Sequence, residues 1–225
     1  MASSEWEVFR LSAQVGVCCV AFSLPFGILF GWVLARLEFP GKSLLDGICH
    51  LPLVLPPVVT GYALLTVFGR RGPIGSLLEG WFGISLAFDW KGAVLASAVV
   101  GFPLMLRSIR QGIEAVDPRL EGAARTLGAS NLRAILAVTL RLTLPSIGIG
   151  CLLSFARSLG EFGATITFVS NIPGETQTLP LAIFSFLNQA DGDGAATRLV
   201  LVSVILSFVT ILVSNRLGSL LEKDL

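Results

Sequence analysis

An all-α polytopic membrane protein of about five transmembrane helices is what this 225-residue chain specifies. Three features say so. Hydrophobic residues make up 53% and charged residues only 14%, against roughly 25% charged in ordinary soluble domains. Mean hydropathy is +0.80. The apolar residues gather in five segments, roughly 11–37, 48–69, 92–111, 144–168 and 195–217, each near the ~20 residues a helix needs to cross hydrocarbon. The length leaves room for several spans and no separate soluble domain, so a single transmembrane domain over 1–225 is expected.

The first segment follows "MASSEWEVFR", which lacks the basic start of a secretory signal. The apolar run Leu11 to Leu37 exceeds a signal's hydrophobic region, so an uncleaved span is expected. The second, "LPLVLPPVVTGYALL", holds Pro52, Pro56 and Pro57. Prolines remove backbone donors and kink helices, and freed carbonyls in a bilayer need a neighbour or a water-lined cavity. Either a packing kink or a broken helix beside a pathway fits Pro56 and Pro57. Next, residues 70–90 carry Leu77, Leu78, Trp81 and Phe82, which suit a short amphipathic helix along an interface. The fourth segment is the least uniform, because it holds Arg157 and Glu161 four residues apart on one helix face. Arg157 lies ~18 Å along the span from Pro145. Charges at such depth face a bundle interior or water. They form either an intramembrane ion pair that fixes packing or a cationic waypoint tempered by Glu161.

Orientation comes from Lys and Arg in the connections. Arg36, Lys42, Arg107, Arg110, Arg119, Arg125, Arg133, Arg141, Arg216 and Lys223 fall on one side. Arg10, Arg70, Arg71, Lys91 and Arg198 fall on the other. The richer side is expected in the cytoplasm, with the N-terminus outside and the C-terminus inside. Cys18, Cys19, Cys49 and Cys151 lack metal spacing and read as small apolar residues, and the lone His50 has no Cys/His cluster. A net charge of +1 gives no reason to expect nucleic acid.

The third connection, about 112–143, differs from the rest. Its "VDPRLEGAARTLGASNLRAILAVTLRLTLPSI" reads as helix, turn, helix. Asp117 suits a cap and Pro118 a first helical position. Leu120, Ala123, Ala124 and Leu127 share a face. Gly128 stands where a helix end favours positive φ. Ser130 or Asn131 then caps a second helix, on which Leu132, Ile135, Leu136 and Thr139 share a face. The first helix, ~15 Å long, is too short and polar to span. "FPGKS" ends like a P-loop, but Arg36 replaces the required earlier glycine and a membrane helix precedes it, so self-contained nucleotide binding is not expected.

This connection resembles the signature loop of binding-protein-dependent ABC importer permeases: E-A-A, three residues, G, nine residues, I-x-L-P. Ala123, Ala124 and Gly128 match in register. Gly122 occupies the glutamate position, with Glu121 one residue earlier; Val138 replaces the isoleucine and Arg141 the proline, and Pro145 follows. "SLPFGILFGWVLAR", "FPGKSLLDGICHLPLVLPPVVTGY" and "RSLGEFGATITFVSNIPGETQT" resemble the molybdate permeases of bacterial ABC importers.

The resemblance implies a type I importer permease of the bacterial inner membrane, a non-catalytic subunit acting as a homodimer. Two ATPase subunits would bind ATP and Mg, a periplasmic protein would deliver molybdate and also tungstate, and this chain would hold no cofactor. It implies a coupling helix docked on the ATPase, with Glu121, Ala123, Ala124, Gly128 and Pro145 as the coupling residues. Pro56, Pro57, Arg157 and Glu161 remain candidates for pathway or scaffold. A sulfate permease is chemically close, since both substrates are tetrahedral dianions. An ion-coupled secondary transporter would need acidic or histidine relays in several spans, and Glu161 is the only acidic residue in the five apolar segments.

Overall fold

The computed structural model describes residues 3–221, so Lys223 lies outside the described residues. Only helices occur among the described residues. They are α1 Ser3–Arg36, α2 Lys42–Val54, α3 Pro57–Phe68, α4 Pro73–Phe82, α5 Trp90–Ala115, α6 Pro118–Thr126, α7 Asn131–Ala134, a π-helical segment Ile135–Leu140, α8 Arg141–Leu159, α9 Gly163–Val169, α10 Leu179–Leu187 and α11 Asp193–Leu221.

Four stretches are long and apolar enough to cross a membrane: Glu5–Arg36, Trp90–Ala115, Asn131–Leu159 and Asp193–Ser214. A fifth crossing is supplied if α2 and α3, which meet at a 115° bend, act as one span. The expected number therefore holds in that form, but several boundaries move, the first span starting at Glu5 rather than near 11 and the fourth at Asn131 rather than near 144. The second segment begins at Lys42 rather than near 48. The fourth segment is not one span through 168. Its helix ends at Leu159, and α9 restarts at Gly163.

Small residues set the packing. Gly27 and Gly31 of α1 lie against Met105 and Ile109 of α5, so these two helices run parallel. Gly150 of α8 lies against Met105, while Ser108 Oγ donates to the Ser146 carbonyl at 2.7 Å, so α8 runs antiparallel to α5. With hydrocarbon outside, close approach and dispersion drive such association. Met105, Ile109, Ile113 and Ile147 form one buried cluster; Val15, Ala96, Val100, Ala164 and Phe168 belong to another.

Glu5, 1% exposed, accepts from Arg198 Nη2 at 2.6 Å and Nε at 3.0 Å. That pair fastens the start of α1 to the start of α11. The two helices thus begin at the same end of the bundle, and α11 finishes at the end opposite the start of α1. The amphipathic helix expected after residue 70 is α4, with Leu77 and Trp81 exposed and Leu78 half-buried.

α3 packs on α9 with almost no clearance. A Cβ at Gly61 would lie 2.6 Å from the Ala164 carbonyl oxygen and 2.8 Å from its Cα. Backbone atoms cannot swing aside, and overpacking costs about 1–3 kcal/mol. Gly61→Val should therefore lower the melting temperature of the detergent-purified protein, whereas Gly80→Val, which meets nothing within 4 Å, should not.

Candidate functional site

Two places collect the residues singled out from the sequence. The first is the connection from α5 to α8. Asp117 caps α6, its Oδ1 accepting from Arg119 N at 2.9 Å, and Pro118 occupies the first helical position. At the far end Ala129 N donates to Ala124 O at 3.1 Å and Gly128 N to Arg125 O at 3.0 Å. These two bonds make a Schellman motif, which satisfies carbonyls the helix end would leave free. Gly128 sits at φ 92, as the motif requires. Ser130 then caps α7, its Oγ accepting from Arg133 N at 3.3 Å.

The nine-residue α6 has no buried residue, and its Leu120 and Ala123 are exposed to solvent. Leu120 is 46% exposed and Leu127 89%. Ala123 is exposed and Ala124 half-buried. Leu132 and Leu136 of the following helix are also exposed. A short polar helix that ends on a fixed turn and displays leucines beside alanines offers a partner a shallow, closely approachable surface.

Two of the expected coupling residues stand elsewhere. Glu121 turns inward, its side chain 16% exposed. Its Oε1 lies 3.6 Å from Arg36 Nη2 and accepts a hydrogen bond from Thr139 Oγ1. Pro145 lies inside α8, half-buried, rather than on the displayed surface. The second helix of the loop also fails to end as a separate element. Asn131–Leu159 is continuous and includes the π-helical segment, a feature that single-turn periodicity does not announce.

The second place joins two helix breaks. α2 stops at Val54, and Pro57 opens α3. α8 stops at Leu159, and Gly163 opens α9. These breaks touch: a Cβ at Gly163 would be 2.7 Å from Pro57 Cβ. Glu161 reaches across the second break. Its Oε1 accepts from Ala164 N at 2.8 Å, covering a donor that the start of α9 leaves open. Its Oε2 lies 2.8 Å from Arg157 Nη1 without hydrogen-bond alignment. The Glu161 side chain is 1% exposed and that of Arg157 28%. Thr60, 4% exposed, has a hydroxyl with no hydrogen-bond partner among the described residues. The arrangement gathers Pro56, Pro57, Arg157 and Glu161 into one region. Irregular backbone at such depth is tolerated only when covered by protein or lining a cavity.

No group of three or more His, Cys, Asp or Glu that could hold a metal occurs among the described residues. Cys19 is buried, and Cys18, Cys49 and Cys151 are partly so.

Residues 24–225 match the model of a family described as the binding-protein-dependent transport system inner membrane component. The chain belongs to that family. It is 56% identical over 218 residues to the molybdenum transport system permease protein ModB of Escherichia coli (strain K12), covering 97% of this chain and 95% of that one. ModB of Haemophilus influenzae is 53% identical over 221 residues, 98% of this chain and 96% of that one. The sulfate transport system permease protein CysT of Escherichia coli (strain K12) is more distant. It is 36% identical over 216 residues, 95% of this chain and 76% of that one.

The fold is also that of solved importers. A chain of a bacterial ABC transporter involved in the import of the polysaccharide alginate superposes with a TM-score of 0.74 at 15% identity, covering 97% of this chain and 80% of that one. A chain of the inward-facing MetNI methionine ABC transporter gives 0.68 at 14% identity, covering 97% and 94%. This inner-membrane component thus shares the type I importer architecture, with α6 placed in the connection between α5 and α8.

Proposed function

We propose that this inner-membrane component is the membrane-spanning subunit of an ATP-driven importer of molybdate and tungstate. The observation that carries this reading is the 56% identity to ModB across nearly the full length of both chains, against 36% to the sulfate permease CysT. The solvent-facing α6 supports the coupling part, because an exposed helix at one end of a membrane bundle needs a partner off the membrane.

In this reading two copies enclose the pathway and two ATPase subunits bind ATP and Mg. Each ATPase receives one α6, with Ala123, Ala124 and Gly128 at the contact and the loop about 112–143 as its frame. A periplasmic molybdate-binding protein supplies the oxyanion. This chain hydrolyses nothing and holds no cofactor. ATP binding draws the two α6 helices together and opens the cavity outward; hydrolysis returns it inward. The N-terminus then lies outside and the C-terminus in the cytoplasm.

Orientation has a direct test. Glu175 and Ser130 are both exposed and lie at opposite ends of the bundle. With the four native cysteines replaced by alanine, a cysteine at Glu175 should react with an impermeant thiol reagent added to intact cells. One at Ser130 should react only after lysis, and the opposite pattern would refute the topology. Substrate is tested by coreconstituting the chain with its ATPase and binding protein in liposomes. Molybdate uptake should exceed sulfate uptake at equal concentration, and a sulfate preference would overturn the assignment.

A further inference from the structure

Glu121 lies two residues before Ala123 in α6, yet it faces away from the surface that α6 displays. It lies about 100° around the helix from Leu120. One carboxylate oxygen meets Arg36 Nη2 at 3.6 Å and accepts from Thr139 Oγ1. Arg36 is the last residue of α1, and its Nη2 also donates to the Val116 carbonyl at 2.8 Å, just beyond the end of α5. Thr139 is 1% exposed and sits in the π-helical segment that runs into α8. The ends of α1 and α5, the middle of α6 and the root of α8 therefore converge on three side chains.

We infer that Glu121 is a positioning residue for coupling: through Arg36 and Thr139 it locks α6 to α1 and α8, and it does not contact the ATPase. This rests on the proposed docking of α6. A nine-residue helix hung between two turns has little rigidity of its own, because short helices take their stability from packing. Pushed on its displayed face, an unfastened α6 would pivot at Val116–Asp117 and at Gly128–Ser130. Fastened on its opposite flank, it must carry α1 and α8 with it. The side chains of Arg36 and Glu121 are only 14% and 16% exposed, so water competes weakly for the pair.

The test uses the full permease–ATPase complex in liposomes with its binding protein. Glu121→Gln, Arg36→Met and Thr139→Val should each retain the ATPase on copurification, since Ala123, Ala124 and Gly128 are untouched. Each should lower transport per ATP hydrolysed by about fivefold or more, the usual scale of a coupling energy. Arg36→Lys and Thr139→Ser, which keep the charge and the hydroxyl, should recover most of it. The double variant Glu121→Gln with Arg36→Met should lose no more than the worse single variant, because both break one network.

Loss of ATPase capture by Glu121→Gln would make Glu121 a contact residue and overturn the inference. So would normal coupling in all three variants, or additive losses in the double variant. If Arg36→Met does not accumulate, Thr139→Val decides, since it deletes one hydroxyl and keeps the helix. The parent chain run alongside separates the two levels: failure of that chain to retain an ATPase overturns the importer reading itself, and this inference with it.

Discussion

Gly128→Val should leave the protein in the membrane at normal abundance and yet remove most ATP-driven uptake. A Cβ at Gly128 meets nothing within 4 Å, so no internal clash drives the effect. The backbone does. Gly128 stands at φ 92, where an L-residue pays roughly 1–2 kcal/mol and a β-branched one more. Relief of that strain undoes the two bonds to Ala124 O and Arg125 O, frees the end of α6 and changes the path into α7. Gly128→Asn separates shape from bulk, since asparagine tolerates the left-handed region. If conformation is what matters, Gly128→Asn transports nearly normally. If the partner fits tightly against the turn, it fails alongside valine. Ala124→Trp should likewise be far worse than Ala124→Ser. Copurification of the ATPase and substrate-stimulated hydrolysis in liposomes read both series. Normal coupling in Gly128→Val and Ala124→Trp would reduce α6 to a connector.

The second large effect is expected at the joined helix breaks. Arg157→Ala leaves Glu161, 1% exposed, with the Ala164 N–H as its remaining hydrogen bond. Stripping a buried charge of its partner costs about 3–5 kcal/mol. Arg157→Ala should therefore lower both thermal stability and uptake sharply. The double variant Arg157→Met with Glu161→Leu removes both charges and should regain the stability, because an apolar pair of similar volume is often as stable as a buried ion pair. Its uptake distinguishes the roles. A stable double variant that transports shows that the pair is scaffold; a stable one that does not transport makes Arg157 part of the oxyanion's path. Full uptake by Arg157→Ala alone would exclude both.

Much of the connection from α5 to α8 was legible because its signals are local. Asp117, Pro118, Gly128 and Ser130 act on backbone groups within a few residues, so their spacing along the chain is their spacing in space. The same holds for the break at Pro56–Pro57, where the missing donor is in the residue itself. The break after Leu159 was not legible in this way. "SLGEFGATITF" contains no proline, and its glycines are no denser than in helices that continue, such as "SIGIG". Glu161 makes that break tolerable by capping Ala164 N, and its depth in the bundle is a property of the packing.

The sequence by itself determined the order of the long apolar segments, the polar helix between α5 and α8, and the glycine that ends it. Each follows from hydropathy over ~20 residues or from bonds closed within one turn. Only the tertiary structure decided which face each charge turns toward. Glu121 stands beside the signature in the chain, but Arg36, 85 positions earlier, and Thr139, 18 later, draw it inward and away from the displayed surface. The start of α1 is fastened to α11 by Glu5 and Arg198, 193 positions apart. Pro57 and Gly163 meet because α3 and α9 pack backbone to backbone. Such contacts depend on how whole helices lie against each other, which periodicity within a single helix cannot encode.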